Sequence, residues 1–192
     1  MNLPRLSEPI DFCYDHTKSE IGIVHLGIGA FHRAHQAVYT DEVLDRFGGD
    51  WAICGVSLRS PEMRDALVPQ NGLYSLLERS GSENHVRIIG SVKEVLFAPE
   101  NPSAVLARMT CQHTRIVSLT ITEKGYCHDP ATGKLNKDHP DVQHDLANSN
   151  TPKSAVGFLV ESLRLRKVSG VSAFTVLCCD NLPDNGKLVR GL

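Results

Sequence analysis

Residues 21–35, IGIVHLGIGAFHRAH, decide how the rest of the chain is read. The stretch opens as an apolar run with Ile21, Ile23, Val24 and Leu26, passes through Gly27-Ile28-Gly29, and continues into Ala30, Phe31, Ala34, Ala37 and Val38 at helical spacing. Strand, glycine turn and helix follow one another in that order. Two glycines let the backbone turn sharply and let a ligand come close, and the N–H groups of a first helical turn attract an anion such as a pyrophosphate. The chemistry this points to is dinucleotide binding on a Rossmann unit. The general fingerprint asks for a third glycine three residues after Gly29, where this chain has His32. On pattern alone an ordinary strand-to-helix turn accounts for these residues equally well.

Working outward, the spacing predicts a helix from about Arg33 to Phe47, stopped by Gly48-Gly49-Asp50. Trp51 to Leu58, with Ile53, Cys54 and Val56, reads as a buried parallel strand, which completes a βαβ unit. From Asn71-Gly72 the texture changes: LYSLLER, SGSEN and HVRIIGSVKEVLF alternate around polar turn residues and predict a β-hairpin inserted in the wound sheet. Asn101 caps and Pro102 opens a helix to Met109. Arg115 to Thr122 is a further strand, followed by Glu123-Lys124-Gly125-Tyr126 at its carboxyl end, and DPATGKLNK at 129–137 is an exposed turn. Thr151 as cap and Pro152 as first residue start a helix that runs to Lys167, after which Phe174 to Cys179 forms another buried strand, with Asp180-Asn181 at its tip.

The fold expected is α/β: a doubly wound, mostly parallel Rossmann-type sheet with strands near 21–30, 51–58, 115–122 and 172–179 and an inserted hairpin. Residues 1–20 read as a polar leader and 21–192 as one dinucleotide-binding domain. A length of 192 residues suits one sizeable core, and 41% hydrophobic with 22% charged is ordinary for a globular domain. A formal net charge of -2 gives no reason to expect nucleic acid or an acidic membrane as partner. The first twenty residues carry charges and no apolar core, and no apolar run reaches ~18 residues, so the expectation is a cytoplasmic protein. Six cysteines without a CxxC pair read as reduced thiols, most of them buried.

The wording GIGAFHRAHQAVYTDE, with WAICGVSLRS at 51–60, SLTITEKGYC at 118–127 and CDNLPDNG at 179–186, resembles the mannitol dehydrogenase family, the polyol-specific long-chain dehydrogenases that include mannitol 2-dehydrogenase and fructuronate reductase. Members carry Gly-x-Gly-x-Phe-His-Arg-Ala-His, so His32 agrees with the family where it departs from the general motif. The resemblance covers nearly the whole chain in order. It implies an oxidoreductase that uses NAD and acts on a polyol or sugar acid, with Gly27, Ile28, Gly29, Ala30, Phe31 and Arg33 at the cofactor. By the same resemblance Thr120, Thr122 and Glu123 line the cleft, and a plain loop accounts for each taken singly.

Asn181 is the candidate catalytic residue by resemblance: a carboxamide at a strand tip donates to the oxygen that becomes an alkoxide as hydride arrives. The alternative is a turn or cap role for Asp180 and Asn181. Glu62, just beyond the second strand, is the candidate for reading the adenosine ribose and preferring NAD, against a plain helix N-terminal acid. Arg59 argues the other way, because it can pair with a 2′-phosphate. His32 and His35 share a helix face, yet a zinc site needs further ligands, and no metal is assigned. Lys124 lacks the burial that a lysine base requires.

In the family, a second, mostly helical domain supplies the general-base lysine on a Lys-x4-Asn-x2-His segment, and this sequence contains none. The chain is therefore expected to bind NAD(H) and turn nothing over by itself. Two other readings stand beside this one: a dinucleotide-binding module without chemistry, and a truncated remnant with an apolar face exposed.

Overall fold

The computed structural model describes Tyr14, Asp15 and residues 18–81 and 83–192; most of the expected leader, 1–20, lies outside the described residues. In chain order the elements are β1 (Ile21–Leu26), α1 (Ala30–Ala34), α2 (Gln36–Phe47), β2 (Ala52–Ser57), α3 (Glu62–Leu67), β3 (Tyr74–Ser80), β4 (Glu83–Ile89), β5 (Val92–Phe97), α4 (Pro102–Thr110), β6 (Ile116–Leu119), α5 (Thr122–Gly125), α6 (Pro140–Ala147), α7 (Ala155–Val168), β7 (Thr175–Cys178) and α8 (Asn185–Gly191). All six residues of β1 are buried because parallel neighbours flank it on both sides, β2 on one and β6 on the other. A strand covered on both faces needs apolar residues at nearly every position, which is why 21–26 reads as a run and not as an alternation.

The main sheet is five-stranded and parallel, in the order β5-β2-β1-β6-β7. Val24, Leu26, Cys54, Val56, Val117 and Leu119 face Val105 and Met109 of α4 and Phe158 and Leu159 of α7. Ile23 and Ile53 face the other way, toward Ala37 and Val38 of α2 and Leu67 of α3. The sheet is thus wound on both faces, as expected.

Several boundaries differ from the sequence reading. HVRIIGSVKEVLF is two strands, because the chain breaks at Gly90-Ser91: β4 pairs antiparallel with β3 in a separate two-stranded sheet, while β5 joins the main sheet beside β2 as a fifth parallel strand. The hairpin leans on α1 and α2: Tyr74 donates to the carbonyl of Arg33 in α1 (2.6 Å), and buried Asp41 of α2 accepts the Gly90 amide (2.9 Å). The helix expected over 33–47 is two helices. At the break His35 has φ -128 and ψ -88, and its Nδ1 lies 2.8 Å from the Phe31 carbonyl, so a side chain takes the acceptor a continuous helix would give its own amide. The cap of α7 is Ser154, three residues beyond Thr151, and its hydroxyl accepts the Gly157 amide (2.9 Å). The expected cap at Asn101 does accept the Ala104 amide (3.0 Å). Helix α6 was not foreseen.

Candidate functional site

The carboxyl ends of β1, β2 and β6 surround a crevice of about 270 Å³, bordered by Gly27–Gly29, Ser57–Ser60, Thr120–Thr122 and Lys153. In the sheet order β2 lies on one side of β1 and β6 on the other, so the connections diverge between β1 and β6. This is the position where open α/β sheets bind their ligands.

The turn at its floor is built from glycine. Gly27 has φ +97, and a Cβ there would collide with the Thr120 carbonyl. The Gly27 and Ile28 amides both donate to the Val56 carbonyl (2.9 and 3.3 Å), which ties the turn to β2. Ile28 is buried against Gly55, where any Cβ would strike the Ile28 side chain. Gly29 is different. It caps α1 without a side-chain hydrogen bond, and a Cβ on it would come no nearer to protein than 3.7 Å, from the Gly27 carbonyl. The space beside Gly29 is open to a ligand, and the α1 amides face that end without a side-chain cap. Arg33 does not border the crevice; its Nη1 donates to the Ile28 carbonyl (3.1 Å) and lies 2.8 Å from Met63 Sδ, so it braces the turn from behind.

Beneath the turn lies a buried polar chain. Thr120 Oγ1 donates to the Gly27 carbonyl (2.9 Å) and sits 2.8 Å from His25 Nε2; His25 Nδ1 sits 2.8 Å from Ser118 Oγ, and Ser118 Oγ 2.9 Å from the Gln36 amide group. His32 Nδ1 meets the same Gln36 group at 3.2 Å, and the two imidazoles stack at 3.5 Å between centroids. Thr120 has one hydroxyl proton and gives it to Gly27, so a neutral His25 must donate from Nε2 and accept at Nδ1. Gln36 Oε1 accepts from the Ser118 hydroxyl and from His32 Nδ1, so the single Ser118 proton serves two acceptors, Gln36 Oε1 and His25 Nδ1. Burial drives His25 well below the ordinary imidazole value, with His32 adding to the effect, and burial holds His32 at about 4. His32 Nε2 has no hydrogen-bond partner among the described residues.

The far wall depends on Asp180. Its carboxylate accepts the Ile121 amide (3.0 Å), the Thr122 amide (2.9 Å) and the Tyr126 hydroxyl (2.7 Å), pinning the tail of β7 to the loop after β6. Burial first, and then Asp180, push the Tyr126 phenol up. Thr122 is held at φ +64 by this clamp. The Asn185 amide donates to the Cys178 and Asp180 carbonyls (3.2 and 2.9 Å) and closes the turn from which Asn181 projects, exposed.

Of the sequence-designated residues, the structure brings Gly27, Ile28, Gly29, Thr120 and Thr122 together around the crevice. Ala30 follows as the first residue of α1. Phe31 is 57% exposed and stacks on His35 at 4.2 Å, facing an apolar cleft beside α2. Glu62 and Glu123 are exposed in the first turns of α3 and α5, outside the crevice lining. The reading missed Asp180 as a clamp, His25 as a buried strut, Lys153 in the crevice lining and Asp141 as the partner of Arg59. His25 alone carried a signal, an imidazole inside an otherwise apolar strand. Among the described residues no group of three or more His, Cys, Asp or Glu is placed to hold a metal ion, and no helix is long and apolar enough to cross a membrane.

Residues 21–192 match the family profile described as the mannitol dehydrogenase Rossmann domain. The chain belongs to the mannitol dehydrogenase family. It is 50% identical to the uncharacterized oxidoreductase YeiQ of Escherichia coli strain K12, over 92% of this chain and 37% of that protein. It is 46% identical to D-mannonate oxidoreductase of the same organism, again over 92% of this chain and 37% of the relative. Among solved structures, Pseudomonas fluorescens mannitol 2-dehydrogenase in a ternary complex with NAD and D-mannitol superposes with a TM-score of 0.89 at 43% identity, covering 94% of this chain and 37% of that one. The chain therefore spans little more than a third of the mannitol dehydrogenase family members it matches.

Proposed function

We propose that this chain is the coenzyme-binding part of an NAD-dependent oxidoreductase of the mannitol 2-dehydrogenase or fructuronate reductase type, acting on a polyol or sugar acid. The observation that carries the reading is the open flank of Gly29 at the switch point of the sheet, above a turn that Gly27 and Thr120 lock in place. That site fits a dinucleotide: the backbone is bare where a diphosphate would lie, and the amides of Ala30 and Phe31 stand at an uncapped helix start. A relative of the same fold whose structure holds NAD and D-mannitol supports the same choice.

In this reading Gly27, Ile28, Gly29 and Ala30 form the backbone cradle, Arg33 stiffens it, and Phe31 covers its outer end. Glu62, exposed in the first turn of α3 outside the crevice lining, is the carboxylate this reading offers to the ribose hydroxyls. Thr120, Thr122 and Glu123 stand on the nicotinamide side, with Asp180 fixing their loop. Bound NAD supplies the hydride acceptor for the carbinol carbon, or NADH the hydride for a carbonyl. Asn181 donates a hydrogen bond to the substrate oxygen and steadies negative charge there. Lys124 is exposed on α5, outside the crevice lining. The general base therefore belongs to a substrate domain outside this sequence, and the chain alone binds coenzyme without turnover. A reducing, cytoplasmic setting suits the free thiols of Cys54, Cys111, Cys127, Cys178 and Cys179.

The test is a fluorescence titration with NADH beside a steady-state assay with mannitol, fructose, fructuronate and tagaturonate. Saturable NADH binding without turnover is the expected result. Clear turnover by the 192-residue protein would move the general base into this chain, and absence of binding would remove the coenzyme reading.

A further inference from the structure

The residues after β2 carry two opposite charges, Arg59 in the crevice lining and Glu62 outside it, and a free arginine at this place would favour a 2′-phosphate. The structure shows that Arg59 is engaged. Its Nη1 lies 3.0 Å from Asp141 Oδ2, and Asp141 comes from the first turn of α6. The arginine side chain keeps 67% of its exposure and the aspartate only 18%, so the carboxylate is the more buried partner. The neighbouring carboxylate on α6, Asp145, is turned inward and accepts from the Lys153 amide and from the Ser154 amide and hydroxyl (2.7, 2.9 and 2.6 Å). Asp141 is thus the α6 carboxylate that pairs with a residue of the crevice lining, Arg59. Arg59 borders both the crevice and a second cavity of about 260 Å³ that extends from it past Ala98, Pro102 and His144, so the ion pair stands where the two meet.

We propose that Asp141 is a specificity residue for the coenzyme: by occupying Arg59 it withholds the guanidinium from a 2′-phosphate. The inference rests on the coenzyme reading above and adds to it the element that settles which dinucleotide is taken. A 2′-phosphate carries close to two negative charges near neutral pH. To use Arg59 it must displace a carboxylate already ion-paired with it and then remain beside it. Free ribose hydroxyls meet no such penalty. A partly exposed pair of this kind contributes little to folding, so selectivity is the property it can change most.

The experiment titrates NADH and NADPH into the 192-residue protein and into Asp141→Asn, Arg59→Ala and the double variant, with Asp141→Ser as a second removal of the charge. The ratio of NADPH to NADH affinity should rise roughly tenfold on removing the Asp141 charge, the size of one charge-assisted contact. In the double variant the ratio should fall back toward its starting value, because the gain runs through Arg59. A ratio within twofold of the starting value in both Asp141 variants overturns the proposal, as does a gain that persists without Arg59. Failure of every variant to bind either dinucleotide overturns the coenzyme reading itself, and that result is distinct from binding without a change in preference.

Discussion

Gly27 and Gly29 are two letters apart, yet they answer to different demands. At Gly27 the backbone itself excludes a side chain: φ is +97 and a Cβ would meet the Thr120 carbonyl. At Gly29 no protein atom objects. Gly27→Ala should therefore lower stability by about 2 kcal/mol or more, through left-handed strain together with the collision. Gly29→Ala should melt within about 1 °C of the parent and weaken NADH binding by roughly tenfold, since the added methyl fills ligand space only. Melting curves beside NADH titrations separate the two, and loss of stability at Gly29 with binding intact would contradict the assignment. Asp180 offers a second test. Asp180→Asn keeps the shape but turns an NH₂ group toward amides and a phenol that all donate, so melting should fall by about 5–10 °C. An unchanged melt would show that the clamp is ornamental. The glycines were legible because a glycine's backbone demand is written in its own letter. The clamp was not, because a carboxylate's partners 58 and 59 residues away leave no local trace.

At the scale of elements, the strands were readable wherever burial on both faces forced an unbroken apolar run, as in β1 and β2. Three misreadings fall where a polar side chain overrules a periodic pattern. His35 divides α1 from α2 by bonding Phe31, and Ser154 takes the cap because Asp145 holds its amide and hydroxyl. The hairpin and β5 ran together because alternation continues across Gly90, while the change of partner there depends on Asp41 of α2. Helix α6 escaped because only Val142 of it is buried, which leaves no apolar stripe to count. The junction of β1, β6 and α1 also carries a pH dependence. His25 and His32 are buried neutral, His32 at about 4 and His25 well below its ordinary value. The unfolded chain takes up their protons near pH 6.5, so stability is full above that pH and falls as the pH drops from about 6.5 toward 4. For His32 alone the loss between pH 7 and pH 5 is about 2 kcal/mol. His32→Phe keeps a stacking ring over His25 and removes one titrating group, so its melting temperature should fall less over the same interval. Equal acid sensitivity in the two proteins would show that the stack is not where the protons enter.

For the molecule as a whole, the balance of faces matters more than any one bond. One stripe of α2 (Ala37, Val38, Asp41 and Leu44) is buried against the sheet and hairpin, while Tyr39, Val43 and Phe47, four residues apart, form a second stripe that faces outward. Tyr39 is 62% and Phe47 80% exposed, and Tyr39 and Val43 join Phe31, Trp51 and Leu177 around a cleft of about 420 Å³ beside the edge strand β7. Apolar side chains gathered beside a strand edge that is unpaired among the described residues favour association, and a formal charge of -2 supplies little repulsion against it. The isolated protein should therefore show a weight-average mass that rises above 21.1 kDa with concentration in sedimentation equilibrium. The double variant Tyr39→Glu, Phe47→Glu should hold the monomer mass across the same range. Because both side chains already stand largely in water, it should also melt within about 2 °C of the parent. Identical sedimentation of the two proteins would mean that this stripe does not drive association, and a large fall in melting temperature would mean that the two rings are part of the core after all.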